Sequence, residues 1–530
     1  MTHKLLFVLG MVAVSLAQSA HAGEPIRAVI DRELNAHWKA HNLVPATKST
    51  DAEFLRRSSL DLIGTIPTHD EAVAFLVDTN AEKRAKWIDK LLADPRFAKA
   101  QAEVWDLLLF GRRPGNESET RRRPAFKAWL AKHFEEGTPY DKLAKELLVA
   151  EQPGSEMFLV QFRSQPEEAA VQISRVFMGT QLQCARCHDH PYDIWTQKDF
   201  YGVAGFFVRL VVQDGPSGSG NTRTFTIGEK ETGDVLFSGA AKDQQPGRKG
   251  DPVKPKFLGG EPLAEPPTPK DYKAPPPLKS GEKLPKPSFS RKEKFAAWLT
   301  VPENPYFAMA ATNRIWSQFF GRGIVHPIDD FGRDNEPLSP ALLKALADGF
   351  AAQKFDVKGL IREIANSDAY QLSGVGTSKD ALPKHFGRAR VRPLLAEEIV
   401  AAMRTATGTE IDPKNPNANW EYFLRAFGEP ANGLGEFQGS LGEHLFLNNS
   451  DQVRSLIRRK KGNLADAVLT SKDPWEKRVE RIYLSVLTRT PNAKEREAFV
   501  KFLEREPKPD AAVEDAIWVL LNSGEFRFNH

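Results

Sequence analysis

The stretch AKWIDKLLADPRFAKAQAEVWDLLLFG, residues 85–111, decides the fold class. Its apolar residues recur at helical spacing on both sides of Asp94-Pro95, where the pattern breaks. A proline lacks the amide hydrogen that a helix interior needs, so it breaks a helical pattern at that point. The stretch therefore predicts two successive amphipathic helices that meet near Asp94.

The same spacing continues upstream and downstream of this stretch. Between Ile26 and Trp38 an apolar residue recurs at every fourth position, which is the stripe of an amphipathic helix. Thr68, with Glu71 three residues later, is typical of a capping box that begins a further helix. We therefore predict an all-α N-terminal domain over residues 23–212.

Residues 213–288 differ sharply in composition. They are rich in proline, glycine and lysine, and such a segment buries too little apolar surface to offset the entropy of ordering it. We predict an extended linker that packs along a surface. Within it, residues 222–239 alternate well enough between apolar and polar side chains to predict a small β-hairpin.

Helical spacing returns over residues 289–530 and predicts a second all-α domain. The expected fold class is therefore mainly α. Two helical domains are joined by a long Pro/Gly/Lys-rich linker that contains the small hairpin.

Residues 1–22 are typical of a secretory signal peptide. A short basic start precedes an apolar run from Leu5 to Leu16, and Ala20-His21-Ala22 supplies a small-x-small cleavage pattern. The run is too short to be a stable membrane span, and no later segment approaches 18 apolar residues. We expect a periplasmic or otherwise extracytoplasmic protein that does not span the membrane.

The overall charge argues against nucleic acid as the main partner. Lysine and arginine number 73 against 69 aspartate and glutamate residues, which leaves a net charge of only +4. The mean hydropathy of −0.43 is that of an ordinary globular protein. The chain has only two cysteines, so it is not a disulfide-stapled scaffold. Because free thiol pairs in an exported protein oxidise unless something captures them, we expect these two cysteines to have a local role.

Both cysteines lie in the motif Cys184-Ala-Arg-Cys187-His188. The spacing puts two thiols on one side of a helical turn, where they can reach the two vinyl groups of a haem. The histidine that follows then supplies the proximal iron ligand. We therefore expect covalent haem c, with Cys184 and Cys187 as anchors and His188 as the proximal ligand.

Two other interpretations of the motif stay open. The cysteines could form a disulfide that closes a tight loop in a non-enzymatic exported scaffold, with no cofactor at all. Zinc could instead be bound by Cys184, Cys187, His188 and His190, although adjacent ligands would be cramped and a second ligand pair at the usual spacing is missing. That reading would suit a metal-dependent hydrolase that also uses Asp189.

A sixth iron ligand would be methionine or histidine. His326, in the sequence GRGIVHPIDD, is the candidate for a distal ligand or a haem-pocket residue. Asp329 and Asp330 follow it and could form an acid/base or metal-binding pair with it. Neighbouring aspartates after a turn are more often caps or solvated loop residues, which is what we expect here. Val171, Ile173, Val176, Phe177 and Met178, in the helix before the motif, are candidates for the wall of an apolar pocket.

Several long stretches resemble a known pair of families. In the first half these are FLRRSSLDLIGTIPT (54–68), IDKLLADPRFA (88–98), GTPYDKLAKELL (137–148) and CARCHDHPYDIWTQKDFYGVAGFF (184–207). They resemble the planctomycete cytochrome C-like domain of unknown function, the PSCyt family. In the second half NPYFAMAATNRIWSQFFGRGIVHPIDDFG (304–332), SDAYQLS (367–373), RPLLAEE (392–398) and WVLLNSGEFRFNH (518–530) resemble the planctomycete PSD domain of unknown function.

The resemblance implies an exported protein with a cytochrome-like C-x-x-C-H at Cys184, Cys187 and His188. Because this chain carries one such motif, any electron chain must continue in another protein. We therefore expect a redox carrier or accessory protein, rather than a stand-alone enzyme, that acts with a redox partner protein or an oxidoreductase.

Overall fold

A computed structural model describes residues 24–111, 117–217, 223–237, 250–273, 285–375, 383–409 and 441–530 of the chain. The predicted signal peptide, residues 1–22, lies outside these ranges. In the described part, 22 α-helices and three two-stranded antiparallel sheets make up the regular structure. The prediction of a mainly α fold is therefore confirmed.

Ten helices precede the strands of the middle segment. In order they are α1 (Ile26–Ala40), α2 (Asp51–Ile63), α3 (His69–Val77), α4 (Lys83–Ala93), α5 (Pro95–Phe110), α6 (Glu117–Glu136), α7 (Tyr140–Val149), α8 (Met157–Val160), α9 (Pro166–Phe177) and α10 (Gln197–Ala204). The break inside residues 85–111 is where the sequence predicts it. Asp94 accepts a hydrogen bond from the Arg96 amide at 2.8 Å, and Pro95 takes the first helical position.

The described part of the predicted linker contains short strands. β1 (Leu210–Ser217) pairs with β2 (Arg223–Glu229), and β3 (Val235–Phe237) pairs with β4 (Asp251–Val253). The strands predicted within residues 222–239 do form, but they do not pair with each other. Each pairs with a neighbour outside that stretch, since alternation marks a strand without specifying its partner.

In the described residues after these strands, twelve helices follow. They are α11 (Arg291–Leu299), α12 (Phe307–Phe320), α13 (Pro340–Ala352), α14 (Val357–Ala365), α15 (Ala396–Thr407), α16 (Leu441–Asn449), α17 (Asp451–Ile457), α18 (Leu464–Thr470), α19 (Trp475–Leu487), α20 (Ala493–Arg505), α21 (Pro509–Leu521) and α22 (Gly524–Arg527). Two short strands, β5 (Arg392–Pro393) and β6 (Phe528–Asn529), pair near the end of the chain. None of the helices in the described ranges is long and apolar enough to cross a membrane.

In the described part of the chain, two hydrophobic clusters form the core, and both contain residues from both halves of the chain. The larger runs from Ile26 to Phe386, so α12, α13 and α14 bury side chains in the same cluster as α1 to α10. The smaller consists mainly of residues 394–526, together with Leu60 and Ile66 from the first half. α2 and the turn that follows it thus connect the two clusters.

A buried polar network reinforces the contact between α2 and the second half. The Asp61 carboxylate accepts hydrogen bonds from Arg392 Nη2 at 2.9 Å, Tyr370 Oη at 2.8 Å and Asn529 Nδ2 at 2.7 Å. Arg392 also pairs with Glu398 at 2.7 Å. A buried carboxylate needs this many partners because burial deprives it of water.

Candidate functional site

The C-x-x-C-H motif lies in a short turn between α9 and α10. A 3₁₀ helix spans Gln183–Arg186, with Leu182 and Ala185 fully buried on its inner side. Cys184 and Cys187 are free thiols, and both are exposed. The inner residues thus hold the turn against the core while the two sulfur atoms face solvent.

His188 is exposed beside the two thiols. Its Nδ1 atom lies 2.7 Å from the Asp189 carbonyl oxygen and donates a hydrogen bond to it. Such a bond fixes the tautomer and orientation of a ring, and histidines that bind metals commonly use their second nitrogen in this way. Nε2 is therefore the nitrogen that a metal atom would meet.

The backbone of the turn is held by the following helix. The Arg186 carbonyl oxygen accepts hydrogen bonds from Tyr201 Oη at 3.0 Å and from Gln197 Nε2 at 3.3 Å. Burial, with the Glu167 charge, raises the pKa of Tyr201 to about 12, so its hydroxyl remains a donor. The Arg186 side chain pairs with Glu168 of α9 at 2.7 Å. Both flanking helices therefore position the motif.

The loop after His188 is ordered by its own hydrogen bonds. The His190 amide donates to the Trp195 carbonyl at 2.8 Å, and the Gln197 amide donates to the Asp189 carboxylate at 2.9 Å. Tyr192 and Ile194 are 73% and 50% exposed on this loop. Two large apolar side chains thus face solvent within six residues of His188.

The second half of the chain contacts the segment just before the motif, residues 175–181. The Phe331 amide donates to the Gly179 carbonyl at 2.9 Å, and Gln181 Nε2 donates to Asp329 at 3.1 Å. Asp329 also lies 3.5 Å from Arg175 of α9. Asp329 lies in a loop and is partly exposed, and its carboxylate also joins the two halves of the chain.

Asp330 faces the loop that follows the motif. Partial burial and the adjacent Asp329 carboxylate raise the pKa of Asp330. The Asp193 charge raises this pKa further, whereas the His190 charge opposes the rise. The residues around the C-x-x-C-H turn thus come from both halves of the chain.

His326 lies in the same loop of the second half. It is half-buried and is joined to Pro327 by a cis peptide bond. Asn313 of α12 fixes this loop, since its side chain bonds both the amide and the carbonyl of Val325. The structure brings Asp329 and Phe331 against the segment before Cys184, and His326 is a few residues from these contacts.

The donor atoms fit a covalently attached haem, but the predicted pocket wall does not. Two free exposed thiols and an exposed imidazole with its Nδ1 already bonded are the set that attachment requires. Ile173, Val176, Phe177 and Met178 are instead fully buried in the larger cluster, and Val171 packs against it. These five side chains therefore belong to the core, and Cys184, Cys187 and His188 are the residues that would hold the group.

Among the described residues, which include Cys184, Cys187, His188 and His190, no three His, Cys, Asp or Glu side chains are grouped to hold a metal ion.

Sequence reasoning missed several residues that position the turn. Tyr201, Glu168 and Phe331 give no motif signal, because their roles depend on contacts across helices or between the halves of the chain. Gly179 could have been recognised from the sequence, because a glycine just after a helix commonly adopts a positive φ to end it. Its φ here is 62°.

The chain is similar to two known protein families. No curated protein and no solved structure gave a significant match to the chain. Two family models match, in the predicted order. Residues 29–211 match PSCyt2, a protein of unknown function (DUF1549), and residues 291–428 match PSD1, a protein of unknown function (DUF1553). The chain therefore combines a PSCyt2-family domain with a PSD1-family domain.

Proposed function

We propose that this protein is an extracytoplasmic c-type redox protein, in which Cys184 and Cys187 attach one haem and His188 binds its iron. The observation that carries the proposal is the exposure of these three residues, together with the orientation of the His188 ring. Both thiols are free and exposed, and the exposed His188 ring is oriented by its bond to the Asp189 carbonyl. The PSCyt2 family name is consistent with a cytochrome-like domain.

The protein's own residues would define the properties of the site. A bound haem would supply a one-electron redox couple. Tyr201 and Gln197 hold the backbone between the two cysteines through the Arg186 carbonyl, which keeps the attachment geometry fixed. An exposed site lets a partner protein approach closely, as expected for a carrier that passes electrons to another protein.

Export of the protein from cells with a working c-type maturation system tests the proposal. We expect a Soret band, haem staining after denaturation and an intact mass increased by one haem. The double variant C184S/C187S should lose all three. His188→Ala should change the spectrum, whereas His190→Ala, in the same loop, should leave it unchanged. Haem-free protein from cells that mature a known c-type cytochrome would overturn the proposal.

The competing candidate is an exported scaffold with a Cys184–Cys187 disulfide. It is favoured by the exposure of two thiols three residues apart, since exposed thiols oxidise outside the cytoplasm. The same mass measurement separates the candidates. A disulfide lowers the mass by two hydrogen atoms and brings no absorbance in the visible range.

A further inference from the structure

Three histidine rings meet where α1 contacts the second half of the chain. His37 and His41 are one helical turn apart, and His385 ends the 3₁₀ helix Pro383–His385. The ring centroids are 4.2 Å apart for His37–His41, 5.1 Å for His37–His385 and 5.6 Å for His41–His385. Nothing in the sequence singles out these residues, because two of them lie almost 350 positions from the third.

The closest contact is a hydrogen bond between two rings. His37 Nε2 lies 2.8 Å from His385 Nδ1. One nitrogen must donate its hydrogen and the other must offer a lone pair, so at least one of the two rings is neutral. His41 Nδ1 bonds the His37 carbonyl at 2.9 Å. The facing nitrogens of His37 and His385 bind each other, which is consistent with the absence of a metal-binding group among the described residues.

The same contact carries backbone connections between the two halves. Trp38 Nε1 donates to the His385 carbonyl at 2.7 Å, and the Ala46 amide donates to the Gly387 carbonyl at 2.7 Å. Trp38 and Phe386 are both buried in the larger hydrophobic cluster. The histidine cluster is therefore the polar edge of a junction that holds the segment around His385 against α1.

The charges that act on the cluster are cationic. Lys384 and Arg322 act on His385, and His37, His41 and His385 act on one another. The carboxylate one turn before His37, Glu33, is paired with Arg32 at 3.2 Å. Burial, with help from these neighbours, lowers the pKa of both His37 and His385. A proton added to this group therefore meets repulsion and finds no carboxylate partner among these groups.

We propose that the His37–His41–His385 cluster is an acid-sensitive contact, which loosens the segment around His385 from α1 when His37 and His385 become protonated. Two protonated rings cannot share the hydrogen bond between His37 and His385. They would also lie within about 5 Å of each other beside Arg322 and Lys384. An extracytoplasmic protein is exposed to external pH, so such a contact would report acidity as a change in the junction between the two halves.

The direction of the pH dependence follows from linkage. In the folded protein the pKa of His37 and His385 lies below the ordinary value of 6.5, so the unfolded chain binds protons first as pH falls. The contribution of the contact is complete above pH 6.5. It is lost as pH falls from 6.5 through the lowered pKa values.

Hydrogen–deuterium exchange of the full-length protein tests this proposal. Peptides covering residues 383–390 and 26–41 are compared at pH 7.5 and pH 5.5, after correction for the intrinsic exchange rate. We expect the wild type to exchange roughly threefold faster or more at pH 5.5 in these peptides. His385→Asn keeps a polar atom near the Nδ1 position but does not titrate, so it should lose this pH response.

His133→Asn is the matched control. His133 contacts Thr138 and Glu146, neither of which belongs to the cluster, and the variant should respond to pH like the wild type. His37→Gln provides a second test if His385→Asn is already unprotected at pH 7.5. A wild type without the response, or equal responses in the wild type and both cluster variants, would overturn the proposal.

Discussion

Gly179 determines the backbone conformation of the segment between α9 and the C-x-x-C-H turn. Its φ is 62°, and a Cβ atom added there would lie 2.4 Å from the Phe331 ring. The glycine therefore serves two purposes. It lets the chain turn out of α9 through a left-handed conformation, and it lets Phe331 of the second half pack against the backbone.

Gly179→Ala should destabilise the protein through both effects. We expect a loss of about 1–2 kcal/mol in the free energy of unfolding from the backbone conformation, and about 1–3 kcal/mol more from the clash with Phe331. Urea denaturation measures the sum. Gly137→Ala is the control, since Gly137 has φ 65° but nothing within 4 Å of an added Cβ. Equal losses in the two variants would contradict the role assigned to Phe331.

At the scale of elements, Arg291 ties the described part of the predicted linker to α11. Its side chain is only 1% exposed, and its Nη2 atom lies 2.6 Å from both Asp234 and Glu265. Its Nη1 atom donates to the carbonyls of Gly205 and Gly233 at 3.1 and 3.0 Å. One guanidinium thus connects α11 with the end of the first half and with two parts of the predicted linker.

Arg291→Met should release these segments from α11. We expect roughly 3 kcal/mol of lost stability, the low end for a broken buried pair, because Asp234 and Glu265 remain in contact with water. Hydrogen–deuterium exchange should show the loss in residues 231–237 and 257–265. Lys344→Met breaks the exposed pair with Asp348 and should have little effect. Unchanged exchange in the Arg291 variant would rule out this anchoring role.

At the scale of the whole molecule, the two halves share their hydrophobic cores. Ile26 of α1 lies so close to Gly349 of α13 that a Cβ atom added to the glycine would be 2.9 Å from Ile26 Cδ1. Phe307 of α12 stacks on Tyr140 of α7, with ring centroids 5.0 Å apart. Apolar side chains that precede the predicted linker therefore pack against helices that follow it.

Residues 24–288 expressed alone should consequently fail to fold cooperatively. Removal of α12, α13 and α14 would expose the apolar side chains that these helices cover in the larger cluster. We expect a broad thermal transition by circular dichroism and strong binding of a hydrophobic dye. The full-length protein is the control, with a sharp transition and little dye binding. A sharp transition for the fragment would show instead that this half is an independent unit.

The sequence by itself determined the mainly α fold class, the helix start at the Thr68 capping box and the presence of a C-x-x-C-H motif. These features depend on neighbours within a few residues, as at Asp94-Pro95, where proline and a capping carboxylate end one helix and begin the next. The motif could likewise be recognised because its chemistry depends on local spacing.

Only the tertiary structure decided which distant residues meet. Three examples are the pairing of β2 with β1, the hydrogen bond between Gln181 and Asp329, and the contact of His37 with His385. In each case the sequence around one residue does not indicate which residue it contacts. The tertiary structure also decided that Ile173, Val176 and Met178 are buried in the core rather than lining a pocket. An apolar stripe predicts that a surface is covered, but what covers it is settled by packing across the whole chain.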